Sequence, residues 1–495
     1  MTGPRAPAPG GGWPAGRPAR VNGHEFGHAA PPRVAGPALP MRVDFRVVRR
    51  LRDEVSAELS SLLHGGQADA ARRQLEGERI ASRRVRAWVD DQRRAGVPLP
   101  GAYERQLLDA VTAELLGLGR LQLLLNDPEV VEVHILGYDQ VRVEYLDGSV
   151  VEGEPVADSD EELLDILQTL ARRAGSERSL SAATPTLSME LPDVHRSRLT
   201  AVAWVTPRPY AAIRRHRVMD VDLDRLVDMD MISDPLRELL VAAMAADLNI
   251  MVAGLGGAGK TTLARALAAQ IAASEPVVVM EDRRELGLHT TGRHRWAMSM
   301  ETRQGHGELD ARGRRRGEVT LADLIPVSLS LGVLRIIVGE VRGSEIVAML
   351  QAMTTSRGSI CTIHARHPGA VIDRCVELAL THGPEMSAEL AQRMVAGALD
   401  LVIYADIVDE TGVGGRKHRY VSHVVEVIGA GERGQVVTTA LFTPGPDGRA
   451  VPAHHPERIR DQLLRVGYDS RALAGAIATG EGGWRRPLAL RGRRR

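Results

Sequence analysis

The chain has 495 residues, of which 44% are hydrophobic, so it is long enough for roughly two to four domains with substantial cores. Lys and Arg together number 63, as do Asp and Glu, and the formal net charge of zero excludes a globally basic nucleic-acid binder. Cys361 and Cys375 are the only cysteines, which excludes a disulfide framework and a cysteine-rich zinc site and fits a reducing compartment.

The N-terminal part divides into a Pro/Gly-rich segment and a helical region. Residues 1–40 hold nine prolines and eight glycines, which predicts a disordered segment. After Met41, apolar residues recur at three- and four-residue intervals and predict a helix; they are Val48, Leu51, Val55, Leu59 and Leu62. A second helix is predicted from Tyr103 to Leu116, and together these elements make a helical N-terminal region over 41–125.

An α+β domain is predicted over 126–217. Val130 to Ile135 and Val141 to Tyr145 read as strands, and a helix is predicted from Ser159 to Ala174. The stretch 218–234 then has the composition of a polar linker. This pattern predicts two folded units that are joined by a connector.

From residue 235 onward, strands and helices alternate, as a parallel α/β sheet requires. The predicted strands are Asn249 to Ala253, Val277 to Met280, Arg335 to Val338 and Ser359 to Ile363. Polar residues follow three of them, namely Glu281, Glu340 and His364. Because open α/β sheets bind ligands beyond the carboxyl ends of their strands, we expect these side chains to meet at one site.

Two β-rich runs, Arg419 to Ile428 and Gln435 to Phe442, predict a hairpin that closes the domain 235–445. The remaining residues, 446–495, form a weakly patterned basic tail in this interpretation.

The most specific motif follows the first of the α/β strands. It comprises Gly254, Leu255, Gly256, Gly257, Ala258, Gly259, Lys260, Thr261 and Thr262. This stretch matches the pattern G-x4-GK[ST], and the backbone N–H groups of such a loop can surround phosphate oxygens. Lys260 is one of only two lysines in a chain that otherwise uses arginine. Its ammonium would pair with the β- and γ-phosphates and the Thr261 hydroxyl with Mg²⁺, so the motif predicts ATP and Mg²⁺ as cofactors.

Several further motifs follow in a fixed order. They are Glu281-Asp-Arg-Arg-Glu285-Leu, Glu301-Thr-Arg303, Gly317-Glu-Val-Thr320, Gly339-Glu340-Val-Arg342-Gly, Leu350-Gln-Ala-Met353 and Gly358-Ser with Ile363-His364-Ala. Upstream lie Asp127-Pro-Glu-Val, Gln140-Val-x-Val-Glu144, Ser197-Arg198 and Ile213-Arg214-Arg215. In this order the chain resembles the type II/type IV secretion traffic ATPases, and most of all the CpaF-type branch that drives Tad (Flp) pilus assembly.

The resemblance implies a RecA-like P-loop ATPase domain, a homohexameric ring, and work on an inner-membrane platform of a pilus or secretion system. By position it implies that Glu340 is the Walker B glutamate, Glu281 the acid of the Asp box and His364 the His-box residue. A carboxylate beside Mg²⁺ can orient the attacking water, and Glu340 is the first candidate for that role, with Glu281 second.

Four arginines are candidates for neutralising transition-state charge, namely Arg198, Arg214, Arg303 and Arg342. The alternative for each arginine is a solvated position or a pair with local acids. Likewise His364 could be a structural histidine and the two glutamates surface acids. The histidines show no zinc-binding spacing.

One stretch departs from the family pattern. Where the family usually has Leu-Arg-Met-Arg-Pro-Asp, this chain has Leu329, Ser330, Leu331, Gly332, Val333 and Leu334, and Ser181 replaces an aspartate that is common in the N-terminal domain. The missing arginines keep open a nucleotide-binding regulator with weak or no hydrolysis. The Arg312 to Arg316 cluster and the Arg485 to Arg495 tail keep open a RecA-like nucleic-acid motor, although no stable nucleic-acid partner is expected.

No run of about 18 apolar residues exists, and the N-terminus lacks the apolar core of a secretory signal. We therefore expect a cytoplasmic protein that reaches the inner face of the cell membrane peripherally, through its partners.

Overall fold

The computed structural model describes residues 43–62, 70–116, 119–145, 149–173, 179–191, 197–215, 220–303, 305–309, 314–413 and 415–490. The Pro/Gly-rich segment 1–40 lies outside the described residues, as do the last five residues of the tail and part of the Arg312 to Arg316 cluster.

The first described elements are helices that pack on one another. They are α1 (Phe45–Leu62), α2 (Ala70–Arg94), α3 (Tyr103–Leu116) and α4 (Arg120–Asn126). Val48, Leu51 and Val55 on α1 are buried against apolar residues of α2 and α3, because their spacing puts them on one helical face. Leu62, predicted on the same stripe, is 60% exposed at the end of α1, where the neighbouring helices no longer cover it.

A six-stranded antiparallel sheet follows. Its elements are β1 (Val130–Leu136), β2 (Gln140–Tyr145), β3 (Val150–Gly153), α5 (Asp160–Arg173), β4 (Thr186–Glu190), β5 (Arg198–Val202) and β6 (Tyr210–Arg214), with strand order β3-β2-β1-β6-β5-β4. Leu163, Leu167 and Leu170 of α5 recur every three or four residues and pack on one face of the sheet. This is the predicted α+β arrangement of helix on sheet.

The C-terminal part is built on a nine-stranded sheet with order β17-β16-β15-β14-β7-β13-β12-β8-β9. Its strands are β7 (Ile250–Gly254), β8 (Val277–Glu281), β9 (Ala297–Glu301), β12 (Arg335–Val341), β13 (Ile360–His364), β14 (Leu401–Asp409), β15 (Lys417–Ala430), β16 (Val436–Pro444) and β17 (Ala450–Pro452). Two more strands, β10 (His306–Leu309) and β11 (Arg315–Arg316), pair with each other in a separate two-stranded sheet.

The helices of this part cover the sheet, and the first two of them precede its first strand in the chain. They are α6 (Leu223–Asp228), α7 (Asp234–Ala245), α8 (Lys260–Ala268), α9 (Leu321–Ser330), α10 (Glu345–Thr355), α11 (Val371–Leu380), α12 (Ala388–Ala398), α13 (Arg460–Arg465) and α14 (Ser470–Thr479). Short 3-10 turns cover Pro368–Ala370 and Thr411–Val413. Two apolar clusters, one on each side of the sheet, form the core.

The six strands from β14 to β9 are mutually parallel, while β15, β16 and β17 add antiparallel to the far edge. In the middle of this sheet β7, β13, β12 and β8 are direct neighbours. Their carboxyl ends carry Gly254, His364, Glu340 and Glu281, so four strand ends predicted from sequence meet at one edge.

The structure differs from the sequence prediction in two regions, the stretch before the C-terminal part and the C-terminal tail. The stretch 218–234, read as a polar linker, contains α6, and Leu223, Leu226 and Ile232 are buried in the core of the C-terminal part. The tail, read as weakly patterned, forms β17, α13 and α14, and Leu463 and Leu473 join the same core. These elements are short, so their periodicity is weak in the sequence.

Candidate functional site

The phosphate-binding motif lies between β7 and α8, at the carboxyl edge of the sheet. Gly254, Gly257 and Gly259 all have positive φ angles, of 150°, 76° and 93°. At Gly254 a Cβ atom would lie 2.2 Å from the carbonyl oxygen of Ala405, so only glycine fits there. Gly256 and Ala258 complete the turn between these glycines, and α8 starts at the lysine of the motif.

Lys260 is buried, and its ammonium group makes two contacts. Its Nζ donates to the carbonyl oxygen of Leu255 at 3.0 Å and lies 3.1 Å from Nδ1 of His364. Burial lowers the pKa of Lys260 to about 8, although the carboxylate of Glu340 acts in the opposite direction. Thr261 and Thr262 follow half-buried in the first turn of α8, where a positive helix end favours anions.

Glu340 lies between a cation and an imidazole. Its Oε2 accepts from the guanidinium of Arg342 at 2.8 Å, and its Oε1 lies 3.0 Å from Nε2 of His364. Burial would raise the pKa of Glu340, but Arg342, His364 and Lys260 together lower it below its ordinary value. Burial and the lysine also lower the pKa of His364, so its ring is neutral at pH 7 and Nδ1 is free to accept from the ammonium.

Glu281 is the most buried acid of the site, at 3% exposure. Its Oε1 accepts from the backbone N–H groups of Glu285 and Leu286 at 3.1 and 3.0 Å, whereas Oε2 has no hydrogen-bond partner. Burial raises the pKa of Glu281 to about 7. A buried carboxylate oxygen without a donor is costly, and it fits a site where a cation or a water molecule completes the coordination.

The predicted arginines reach different places. Arg342 joins Glu340 and lies 3.6 Å from Asp282. Arg198, at the start of β5, forms an ion pair with Glu285 and so connects the N-terminal domain to the segment that holds Glu281.

The other two predicted arginines do not reach this cluster. Arg214 donates to Glu132 at 3.3 Å on the N-terminal sheet. Arg303 donates to the carbonyl oxygen of Gly317 at 2.6 Å beyond the end of β9. In this conformation both arginines are therefore committed to local partners.

Sequence reasoning missed three residues of the site. Arg265 on α8 is buried and donates through Nε to the carbonyl oxygen of Leu286 at 2.8 Å, on the segment that also holds Glu281. Glu285, which the sequence marks only as part of a motif, forms the ion pair with Arg198. Arg419 on β15 donates to the carbonyl oxygen of Gly257 at 2.7 Å. No local pattern marks Arg419, because 162 positions separate it from Gly257 of the phosphate-binding motif.

The donor set at this edge would suit a Mg²⁺ ion that arrives with a nucleotide, because such an ion needs few protein ligands. Among the described residues no group of three or more His, Cys, Asp and Glu side chains could hold a metal ion. Mg²⁺ commonly takes one or two protein ligands and completes its shell with water and substrate phosphates. Thr261 and the carboxylates at the neighbouring strand ends would supply that kind of incomplete set.

The stretch 329–334, which lacks the arginines of the family pattern, is partly exposed to solvent. Leu329, Leu331 and Leu334, in the stretch without arginines, are 37%, 51% and 45% exposed. In the tail, Arg485 donates to Asp228 and Asp234, so this arginine pairs with acids of the chain itself.

Comparison with known proteins identifies the family of the chain. The family model described as "Type II/IV secretion system protein" matches residues 132–434, which is more than half of the chain. The chain belongs to the type II/IV secretion system protein family. Its fold is accordingly an α/β RecA-like P-loop ATPase fold with an α+β N-terminal domain, as predicted.

One relative is a putative conjugal transfer protein of Mycobacterium tuberculosis, which is 31% identical to this chain over 305 residues. The matched residues cover 60% of this chain and 82% of the relative. The conjugal transfer protein TrbB of Rhizobium radiobacter is 27% identical over 311 residues, covering 62% and 87%.

Among solved structures, the Legionella pneumophila ATPase DotB is 16% identical with a TM-score of 0.46, covering 73% of this chain and 85% of that one. The VirB11 ATPase of Brucella suis is 22% identical with a TM-score of 0.31, covering 65% and 96%.

As a member of this family, the chain belongs among secretion and pilus ATPases, which bind and hydrolyse a nucleotide in general. Among the described residues, no helix combines the length and apolar character needed to cross a bilayer.

Proposed function

We propose that this protein hydrolyses Mg²⁺-ATP to drive pilus assembly of the Tad (Flp) type, or secretion of the type II/IV kind, as a homohexamer docked on an inner-membrane platform. The observation that carries the proposal is the cluster at four adjacent strand ends, in which Lys260, His364, Glu340 and Arg342 form one chain of contacts. Glu281 lies buried beside them with one oxygen lacking a hydrogen-bond donor.

The position and the pKa of each group suit the role that we propose for it. Lys260 and the N–H groups of the loop would hold the phosphates, and Thr261 would bind Mg²⁺, which supplies charge neutralisation when bound. The lowered pKa of Glu340 keeps its carboxylate charged at neutral pH, as a residue that orients a water molecule must be. Glu281, with a pKa near 7, is the second candidate for that role.

The proposal is tested by measuring Mg²⁺-ATP binding and phosphate release on the purified full chain. Lys260→Ala should lose turnover at least a hundredfold, because a preorganised phosphate clamp contributes on the order of 3 kcal/mol to the transition state. Glu340→Gln should bind ATP but release no phosphate. Glu432→Gln, at an exposed turn between β15 and β16, is the matched control and should behave as the parent. Normal phosphate release by Lys260→Ala would refute the ATPase assignment.

The assembly and its partners need separate tests. Light scattering with Mg²⁺-ATP should give the mass of six chains, and a stable monomer or dimer would refute the ring. Genes for two polytopic membrane proteins and a small pilin beside this one would support the Tad assignment. Their absence, with conjugation genes in their place, would favour type IV secretion.

A regulator that binds ATP with little hydrolysis is the second candidate. It is favoured by one observation: Ser330 and Gly332 stand where the family usually carries arginines, and Leu331 and Leu334 beside them are exposed. Tight ATP binding without phosphate release from the assembled protein would support the regulator and exclude the motor.

A further inference from the structure

One side chain outside the family motifs contacts the phosphate-binding loop directly. Nε of Arg419 donates to the carbonyl oxygen of Gly257 at 2.7 Å. Its Cδ atom lies 3.7 Å from the position that a Cβ atom on Gly259 would occupy. The arginine therefore runs along the outside of the loop, from Gly259 to Gly257.

The contact fixes the direction of one N–H group of the loop. In a trans peptide the C=O and the following N–H point in opposite directions. Because Arg419 holds the Gly257 carbonyl oxygen outward, the N–H of Ala258 points to the inside of the loop, where it donates to the carbonyl oxygen of Leu255 at 3.3 Å. Inward N–H groups are the ones that surround a phosphate in such loops.

The same strand also contacts the N-terminal domain. Lys417 lies two residues before Arg419 and therefore on the same face of β15. Its Nζ donates to Oε1 of Glu144 on β2 at 2.9 Å, and the carboxylate of Glu144 also attracts the guanidinium of Arg419. His418, between them, is 9% exposed on the opposite face, where its Nε2 lies 3.5 Å from Oε2 of Glu410.

We propose that Arg419 is a positioning residue for the triphosphate, which orients the 257–258 peptide of the loop, and that the Lys417–Glu144 ion pair ties this residue to the N-terminal domain. The inference rests on the proposed ATP site and adds a route by which the position of the N-terminal domain changes nucleotide affinity. This route is separate from the Arg198–Glu285 ion pair.

Two substitutions of equal length test the role of Arg419. In Arg419→Gln the amide nitrogen takes the place of Nε and keeps an N–H donor without the charge, whereas Arg419→Met puts a methyl group there. ATP affinity is measured by calorimetry on the full chain with Mg²⁺. Arg419→Met should raise the Kd about tenfold, as expected for loss of one hydrogen bond from a charged donor, and Arg419→Gln should stay within about threefold of the parent.

Arg416→Met is the matched control, since this exposed arginine lies just before β15 and should leave the Kd unchanged. The inference is overturned if Arg419→Met binds ATP like the parent. It is also overturned if Arg419→Gln is as weak as Arg419→Met, because the charge and not the donor would then matter. A parent protein that binds no ATP would instead refute the proposed function itself.

A charge exchange tests the connection to the N-terminal domain. Lys417→Glu and Glu144→Lys each place like charges together and should raise the Kd for ATP about fivefold, and the double variant should return to within about twofold of the parent. Additive losses in the double variant, or parent-like single variants, would overturn the connection.

Discussion

The buried carboxyl group of Glu281 predicts a substitution that stabilises the protein while it reduces activity. Burial raises the pKa of Glu281 from its ordinary 4.5 to about 7. Between these two pH values the folded protein keeps a proton that the unfolded chain has released, so stability is lost as the pH rises from 4.5 through 7. At about 1.4 kcal/mol for each pH unit, the loss reaches at most about 3 kcal/mol above pH 7.

Glu281→Gln removes the charge, and its amide oxygen can still accept from Glu285 and Leu286. We therefore expect the variant to be more stable than the parent by up to about 3 kcal/mol at pH 8, which raises Tm by roughly 6 to 12 °C in a domain of this size. At pH 5 the difference should fall below about 1 kcal/mol. ATP hydrolysis should decrease at both pH values.

Thermal unfolding followed by circular dichroism at pH 5 and pH 8 measures this difference. Glu340→Gln is the control with the opposite sign, because the pKa of Glu340 is lowered and its charged form stabilises the fold at pH 8. A Glu281→Gln variant that is equally or less stable than the parent at pH 8 would refute the reasoning, as would an advantage that does not depend on pH.

Three further predictions concern the fold and the phosphate loop. Arg335→Met should lower the free energy of unfolding by about 3–5 kcal/mol in denaturant titrations, because it leaves Glu275 without its buried partner and Asp247 with only the more distant Arg357; a loss below 1 kcal/mol would contradict this. Gly254→Ala should abolish ATP binding in calorimetry. The same change at Gly467, which also has a positive φ but where a Cβ meets nothing within 4 Å, should cost about 1–2 kcal/mol of stability and leave binding intact. ATP affinity should decrease as the pH rises above about 8, since Lys260 then loses its proton before binding, and a constant Kd from pH 7 to 9.5 would exclude this.

The residues that meet at the site were predictable where strong local patterns mark them. An apolar run followed by a polar residue identified the ends of β8, β12 and β13, and a parallel sheet then requires these ends to share one edge. The phosphate loop was predictable because its glycines and lysine have fixed spacing. Glu281, Glu340 and His364 were therefore candidates before the structure, although their catalytic roles stay predictions.

The remaining contacts depend on tertiary packing that a single sequence does not encode locally. The contact of Arg419 with the loop depends on how β15 pairs with β14, and that of Arg198 with Glu285 on how two domains dock. The helices α6, α13 and α14 are short, so burial by distant elements and not periodicity decides their structure. The degree of burial that sets the pKa of Glu281 is likewise a property of the packed site.

Lys260 is already engaged by two acceptors of its own chain, the Leu255 carbonyl oxygen and Nδ1 of His364. These contacts use two of the three N–H donors of the ammonium, so the third can donate to an anion. Because both acceptors belong to the chain itself, the ammonium is held beside the loop before any ligand arrives, which reduces the side-chain entropy that binding would otherwise cost.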